Sequence, residues 1–331
     1  MKKEIFCLVF GATIFALGFV AYAQQPTKMF RVGVLSGRGA PTPPASDPNA
    51  DAFRQGLREL GYIEGKNIQL EYRYASGKGE RFPDLVTELL QLKVDVLVSG
   101  TIQAIRAAKQ ATKTIPIVMI TTADPVATAL IESLSHPGGN ITGLTRLIRD
   151  LSGKRLELLK ETVPRISRVG VLGDATAQTT AAALKDYETA AGALKLQVQF
   201  LEVKSPKPDF DAAFQTALKQ RVNALVAVSG ALFLDHAKRI AELAIKHRLP
   251  SIHENNENVE AGGLLFYGAN DADNYKRAAV YIDKILKGAK PAELPVEQPM
   301  KFEFVINLKS AKQIGLTIPP NVLVRADRVI R

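Results

Sequence analysis

A partial repeat constrains the fold of this chain more than any other feature of its sequence. The pentapeptide Arg-Val-Gly-Val-Leu occurs at Arg31–Leu35 and again at Arg168–Leu172. Two later pairs follow in the same order and at similar separations: Val94–Ser99 with Ala224–Ser229, and Thr114–Val118 with Arg248–Ile252. Because self-similarity at a steady spacing is typical of a duplicated structural unit, the three matches predict two lobes with the same topology.

Each half of the chain alternates short apolar strands with helical patterns. In the first half, buried strands are predicted at Arg31–Leu35, Val94–Val98 and Ile115–Ile120, with amphipathic helices between them. Strands that alternate with helices are typical of a parallel sheet covered by helices on both faces. We therefore expect an α/β fold of two similar lobes, each a parallel sheet flanked by helices, joined by hinge crossings.

Three segments rich in glycine or proline are candidate crossings between these lobes, at residues 140–145, 267–270 and 295–302. They predict a first lobe of residues 29–143 plus 268–297 and a second lobe of residues 144–267 plus 298–331. The predicted hinge residues are Gly143, Leu144, Tyr267 and Gly268. The alternative is that these segments form ordinary turns.

The N-terminus has the pattern of a secretory signal peptide. Lys2 and Lys3 precede an apolar run from Ile5 to Val20, and Ala21-Tyr22-Ala23 is a cleavage site of small residues. Cleavage after Ala23, which removes residues 1–23, would place the mature protein in the periplasm. The alternative is an uncleaved membrane anchor, for which the run is short.

Composition and charge exclude several functional classes. The hydrophobic content of 46% and charged content of 23% are those of a globular protein. The single cysteine, Cys7, lies inside the predicted signal peptide, so the mature chain would have no disulfide, catalytic thiol or Cys-bound metal. The net charge is +10, but basic residues are scattered among acidic ones, which favours a solvated surface and no nucleic-acid partner.

Small and polar residues follow the predicted strands, where parallel sheets bind ligands. Ser and Thr at these points can cap the next helix, and backbone N–H groups beside a helix N-terminus attract a carboxylate or another small anion. The predicted ligand-binding residues lie at or just beyond such strand ends: Ser36, Gly37, Ser99, Gly100, Thr101, Thr122, Asp124, Asp174, Ser229, Gly230, Phe233, Glu254 and Asn255. Helix capping is the alternative role for Ser and Thr, and core packing is the alternative for Phe233.

Asp124 has two possible roles. It follows an apolar strand and precedes Pro125 and a helical pattern from Val126 to Leu134. Its carboxylate could receive an ammonium group of a ligand, or it could cap the predicted helix. The sequence leaves both roles open.

No motif for catalysis, nucleotide binding or metal binding is present. There is no G-x-G-x-x-G after a strand, no phosphate-binding loop ending in Lys-Ser/Thr and no G-x-S-x-G elbow, and the four histidines lack metal-ligand spacing. The prediction is a binding protein with no cofactor and no metal, and not an enzyme. An exported enzyme with Asp124 and Glu254 as an acid–base pair is the alternative.

Longer segments carry a family resemblance. They are Phe53–Asn67, Glu71–Pro83, Asp124–Val126, His136–Gly143, Gly153–Lys160, Ala261–Gly268, Tyr281–Pro299 and Phe302–Leu316. Together they resemble the solute-binding proteins of ABC transporters, in the family that includes the tryptophan-binding TrpX-type proteins. The resemblance implies export, a type I periplasmic-binding fold and delivery of a small solute to a membrane permease.

Two segments depart from the family pattern. Members commonly have Asn-Pro after the first strand of the second lobe, where this chain has Gly173-Asp174-Ala175, and the loop from Gly37 to Pro44 is unusually rich in proline. Both segments would line the cleft, so the solute of the TrpX-type proteins is not carried over.

The expected function is capture of a small molecule, such as an amino acid or a small carboxylate, by a monomer that delivers it to an ABC permease. The alternative is a periplasmic ligand-sensing subunit for a receptor.

Overall fold

The computed structural model describes residues 28–41, 47–146, 151–299 and 301–331. The predicted signal peptide, its cleavage after Ala23 and residues 42–44 of the proline-rich loop lie outside the described residues.

Strands and helices alternate along most of the described chain. The strands are β1 (Phe30–Ser36), β2 (Ile68–Tyr74), β3 (Val96–Ser99), β4 (Ile117–Thr121), β5 (Ile141–Thr145), β6 (Arg168–Asp174), β7 (Gln197–Val203), β8 (Ala224–Ala227), β9 (Ser251–His253), β10 (Leu265–Gly268), β11 (Glu303–Asn307) and β12 (Arg328–Ile330). The helices are α1 (Pro48–Glu59), α2 (Phe82–Gln91), α3 (Ile102–Ala111), α4 (Ser152–Thr162), α5 (Gln178–Ala193), α6 (Phe210–Lys219), α7 (Ala231–Asp235), α8 (Ala237–Lys246), α9 (Asn256–Glu260), α10 (Asp271–Leu286), α11 (Leu308–Gln313) and α12 (Pro320–Leu323).

The first sheet has the order β2-β1-β3-β4-β5, and all of its strands are parallel. Leu97 packs with the core under α2 and α3, whereas its neighbour Val96 packs with the core under α1 and α10. Adjacent residues thus point to opposite faces, so both faces of the sheet are buried, as expected for a parallel sheet. We call this sheet with α1, α2, α3 and α10 the first lobe.

The second sheet has the order β12-β11-β10-β9-β8-β6-β7. Its strands are parallel except at the β10–β11 pair, which is antiparallel. Helices α5, α6 and α8 contribute the fully buried Tyr187, Phe214 and Ile240 to its core. We call this sheet with α4 to α9, α11 and α12 the second lobe.

The two lobes share one topology. The neighbour order β2-β1-β3-β4 in the first sheet corresponds to β7-β6-β8-β9 in the second. The repeated sequence segments lie on β1 and β6, on β3 and β8, and on or beside β4 and β9. The prediction of two similar α/β lobes is confirmed, with the antiparallel β11 as the exception to the predicted parallel sheets.

Helix α10 returns the chain from the second lobe to the first. It follows β10 of the second sheet but packs on α1, where a Cβ atom at Gly56 would lie 2.7 Å from the backbone oxygen of Lys276. Glycine at position 56 therefore permits a close helix–helix contact. Beyond α10, Glu297 pairs with Leu144 beside β5 before β11 joins the second sheet. The chain therefore passes between the lobes more than once, while the residue boundaries of the lobes stay a prediction.

The predicted helix from Val126 to Leu134 is wrong, because this segment contains turns and no helix. Backbone N–H groups of Leu130 and Ile131 both donate to the Pro125 carbonyl oxygen. Ala129 has a φ of 54°, in the left-handed region, which interrupts a right-handed helix. The apolar spacing reflects Leu130 and Ile131 packing into the core of the first lobe.

The predicted hinge residues Gly143 and Leu144 lie inside strand β5. Gly143 has a φ of 132°, and a Cβ atom there would lie 2.1 Å from the Met119 carbonyl oxygen of β4. Close pairing of the two strands therefore explains the glycine without any need for rotation. Tyr267 and Gly268 end β10, directly before the chain returns to the first lobe.

Candidate functional site

A cavity of about 710 Å³ lies between the two lobes. Its wall comes from the segments that follow β1, β3 and β4 of the first sheet and β6 and β8 of the second. Carboxyl ends of parallel strands meet at one edge of a sheet, so the two lobes bring two such edges together. Backbone N–H groups, hydroxyls and charged side chains converge there.

Most of the predicted ligand-binding residues line this cavity. They are Ser36, Gly37, Ser99, Gly100, Thr101, Thr122, Asp174, Ser229, Gly230 and Phe233. Glu254 lines a smaller adjoining chamber of about 120 Å³, whose wall also includes Thr122 and Ser229. Asp124 and Asn255 line neither space.

The small residues at the ends of β1 and β3 mainly determine the shape of the cavity. They contribute less as free polar groups for a ligand. Ser99 Oγ donates to the Leu35 carbonyl oxygen at 2.9 Å and accepts from the Thr101 backbone N–H at 3.1 Å. Its hydroxyl is therefore used within the first lobe. A Cβ atom at Gly37 would lie 3.2 Å from Cβ of Ala231 in the second lobe, so glycine at this position allows the lobes to approach closely.

Asp124 is exposed and serves a turn. Its Oδ1 accepts hydrogen bonds from the backbone N–H groups of Val126 at 2.8 Å and Ala127 at 3.0 Å. Because it also lies outside both spaces, the geometry favours the capping role over the ammonium-binding role. It caps a turn, since no helix follows it.

Asp174 ends β6 and is 6% exposed. Its Oδ1 accepts from the Thr176 backbone N–H at 2.9 Å, from Thr176 Oγ1 at 2.7 Å and from the Ser205 backbone N–H at 3.3 Å. Its Oδ2 accepts from Ser205 Oγ at 2.5 Å. Burial favours a higher pKa for Asp174, but the hydrogen bonds from Ser205 and Thr176 outweigh it and lower the pKa, so the carboxyl group is ionised at neutral pH.

Glu254 belongs to a buried network beneath the cavity. Its Oε2 accepts from the Ser229 backbone N–H at 2.6 Å, and its Oε1 accepts from the Tyr187 hydroxyl at 2.7 Å. Arg155, which is fully buried, lies 3.4 Å from Oε1 and donates from Nε to the Tyr267 carbonyl oxygen at 2.8 Å. The network joins the strand-end loop at Ser229 to the end of β10.

Asn255, the other predicted residue outside the cavities, takes part in a buried contact beside them. Its Nδ2 donates to Asp271 Oδ2 at 2.9 Å, and Arg146 pairs with the same carboxylate at 2.5 Å. Burial raises the pKa of Asp271, although the charge of Arg146 opposes the shift. Asn255 thus holds a charged pair that itself lines the cavity.

Sequence reasoning missed several cavity residues. They are Arg38, Asp47, Asn49, Tyr72, Tyr74, Arg106, Arg146, Asp271 and Tyr275. Arg38 directly follows the predicted Ser36-Gly37 and could have been included on that ground. The alternation of Tyr72 and Tyr74 indicated only a strand, and their rings stack with centroids 6.1 Å apart. Asp271 carries no local signal, because only the fold brings it to the cavity.

Metal clusters and membrane-spanning helices are absent from the described part of the chain. In residues 28–41, 47–146, 151–299 and 301–331, no group of three or more His, Cys, Asp or Glu side chains could hold a metal ion. Over the same parts of the chain, none of the helices combines the length and the apolar character that crossing a membrane requires.

Comparison with known proteins identifies the family. Residues 42–330 match the family described as ABC transporter substrate binding protein. The tyrosine-binding protein of Clostridioides difficile (strain R20291) is 24% identical over 286 residues, which cover 82% of this chain and 78% of that protein.

Two solved structures share the two-lobed fold. A conserved domain protein of Vibrio cholerae has 27% identity and a TM-score of 0.80, covering 91% of this chain and 100% of that one. An ABC domain in complex with L-Trp from Streptococcus pneumonia has 24% identity and a TM-score of 0.79, covering 92% and 100%. The fold is that of the type I periplasmic-binding proteins, as the resemblance implied. Since the family match spans most of its length, the chain belongs to the ABC transporter substrate-binding protein family.

Proposed function

We propose that this protein captures a small solute between its two lobes outside the cytoplasm and delivers it to an ABC permease. The observation that carries the proposal is the cavity of about 710 Å³, whose wall combines strand ends of both lobes. A volume of this size suits a small molecule. Export, action as a monomer and the absence of catalysis are parts of the same proposal.

The solute class follows from the chemistry of the wall and from the relatives. Aromatic side chains, including Phe53, Tyr72 and Phe233, lie among arginines and carboxylates. One relative is named for tyrosine, and one neighbour was solved with L-Trp. We therefore propose an amino acid or a small carboxylate as the solute.

Capture works through closure of the lobes. A solute that contacts both lobes stabilises the closed form, because those contacts exist together only there. The lobes already approach closely at Gly37, where an added Cβ atom would lie 3.2 Å from Cβ of Ala231, and this limits how far they can close. Micromolar affinity requires about −8 kcal/mol, which a few charge-assisted hydrogen bonds and an apolar wall supply.

Thermal-shift measurements with a panel of amino acids, small carboxylates and amines test the proposal. A solute bound to the folded state raises the melting temperature by mass action. We expect at least one solute to raise the melting temperature. Thr122→Trp, whose larger side chain would occupy part of the cavity, should abolish this shift. Thr189→Trp, at an exposed position of α5, is the matched control and should leave the shift intact.

Reconstitution with the permease encoded nearest to this protein tests delivery. Uptake of the bound solute that depends on the protein supports transport. Turnover of the solute by the protein alone, or the failure of every solute to raise the melting temperature, would contradict the proposed function.

A further inference from the structure

Asp174 is an ionised carboxylate in the cavity wall without a cationic partner. It is only 6% exposed, and it lines the cavity of about 710 Å³. Among the described residues, no Lys, Arg or His forms an ion pair with it, and each of its hydrogen bonds comes from Thr176 or Ser205. Within the described parts of the chain, hydrogen-bond dipoles therefore balance its negative charge.

The other carboxylates of the wall differ from Asp174 in this respect. Asp271 pairs with Arg146 at 2.5 Å, and Asp47 lies 3.5 Å from Arg38. Glu80, the fourth carboxylate of the wall, is exposed to solvent. Asp174 is thus the buried carboxylate of the described wall that lacks a basic partner.

Two of the three arginines in the described wall, Arg38 and Arg146, are paired with carboxylates of the protein. Arg38 is surrounded by Asp47, Asp235 and Glu257, with N–O distances of 3.5, 3.1 and 3.0 Å. Arg146 is neutralised by Asp271. A buried charge is costly unless it is paired, so a ligand that brings a positive charge beside Asp174 gains more than one that brings a second negative charge.

We infer that the cavity selects solutes that carry an ammonium group, and that Asp174 receives this group. Asp174 Oδ2 accepts one hydrogen bond from Ser205 and has capacity for another from an N–H donor. The solute class is therefore amines and zwitterionic amino acids, and simple carboxylates are disfavoured. The inference rests on the proposed function, since it concerns the same cavity.

A matched series of solutes tests the inference. Tyrosine is compared with tyramine, which lacks the carboxylate, and with 3-(4-hydroxyphenyl)propanoate, which lacks the amine. Leucine, 3-methylbutylamine and 4-methylpentanoate form a second series, and any other solute found by thermal shift is compared with its analogue without the amine. By calorimetry, we expect the ammonium-bearing member to bind at least tenfold more tightly than the acid.

Asp174→Asn removes the charge with little change in shape. We expect it to weaken binding of the ammonium-bearing member at least tenfold and to leave affinity for the acid unchanged or higher. Asp209→Asn, which also removes a capping carboxylate of the second lobe but lies outside the cavity, should leave both affinities unchanged. A lower melting temperature of Asp174→Asn with an unchanged ratio of affinities would indicate a purely structural role and overturn the inference.

The relative affinity of the unaltered protein for amines and acids tests the inference even if Asp174→Asn does not fold. A bound solute without any cationic group, or an acid that binds as tightly as its amine, overturns the inference while leaving the proposed function standing. Failure of every solute in the panel counts instead against the proposed function itself.

Discussion

Arg38 Nε donates a hydrogen bond to Asp235 Oδ1 at 3.1 Å, and this contact joins the loop after β1 in the first lobe to the end of α7 in the second. Asp235 Oδ2 also accepts from the Gly39 backbone N–H at 2.9 Å. Glu257 of the second lobe adds hydrogen bonds from Arg38 at 3.0 Å and from Asn49 Nδ2 at 3.0 Å. The lobes are therefore held together by side chains of the protein itself, in addition to any solute.

Loss of the Asp235 charge should shift the lobes toward the open form. An ion pair with this partial exposure contributes up to about 1 kcal/mol, so Asp235→Asn should lower the ratio of closed to open molecules by up to about fivefold. Distances between spin labels at Lys66→Cys and Lys219→Cys, both exposed and one on each lobe, measure the change. Asp211→Asn is the control, because its partner Arg239 lies in the same lobe. Equal distance distributions in both variants would show that the contact has no part in closure.

Asp124→Ala should leave solute affinity within twofold of the unaltered protein. The side chain is exposed, caps a turn and lies outside both cavities. Loss of these two turn hydrogen bonds should cost about 1 kcal/mol of stability. Calorimetry with any solute that binds measures the affinity, and a tenfold loss would restore Asp124 as a ligand contact.

His253 should make the stability depend on pH. It is fully buried between Ser251 Oγ at 2.9 Å and Asn258 Nδ2 at 3.2 Å, and burial lowers its pKa to about 4. The neutral ring is favoured in the folded state, so this contribution to stability is complete above pH 6.5 or so and falls as the pH drops toward 4. The loss over that range should reach about 3 kcal/mol.

Urea denaturation of the unaltered protein and of His253→Gln at several pH values isolates this contribution. Carboxylates titrate in both proteins, so their effect cancels in the difference between the two curves. We expect the difference to change between pH 6.5 and pH 4, and a constant difference would contradict the assignment.

Gly143→Ala should destabilise the protein by more than about 2 kcal/mol. The new Cβ would lie 2.1 Å from the Met119 carbonyl oxygen, and the φ of 132° is one that alanine rarely adopts. Gly192→Ala is the control, since nothing lies within 4 Å of a Cβ there and it lies within helix α5. We expect that variant to gain about 0.5–1 kcal/mol. Denaturant titration compares the two, and equal stabilities would contradict the close pairing of β4 and β5.

Much of the architecture could be predicted from local properties of the sequence. The repeated segments lie on or beside strands with equivalent places in the two sheets, and most predicted strand-end residues line the cavity. The helix predicted from Val126 to Leu134 failed because Leu130 and Ile131 are buried from a turn, and apolar spacing does not distinguish the two. The sequence also does not reveal how closely the Met119 carbonyl oxygen approaches Gly143, whose role as a hinge stays a prediction.

The sequence by itself determined the two-lobed α/β fold and the position of the ligand-binding edge, because strand periodicity, glycine placement and the repeat are properties of neighbouring residues. Only the tertiary structure decided which charges meet at the cavity. Arg146 and Asp271 are 125 residues apart in sequence, and Arg38 and Asp235 are 197 apart, so nothing local relates them. These pairs, and the absence of a basic partner for Asp174 in the described wall, depend on how the two lobes pack together.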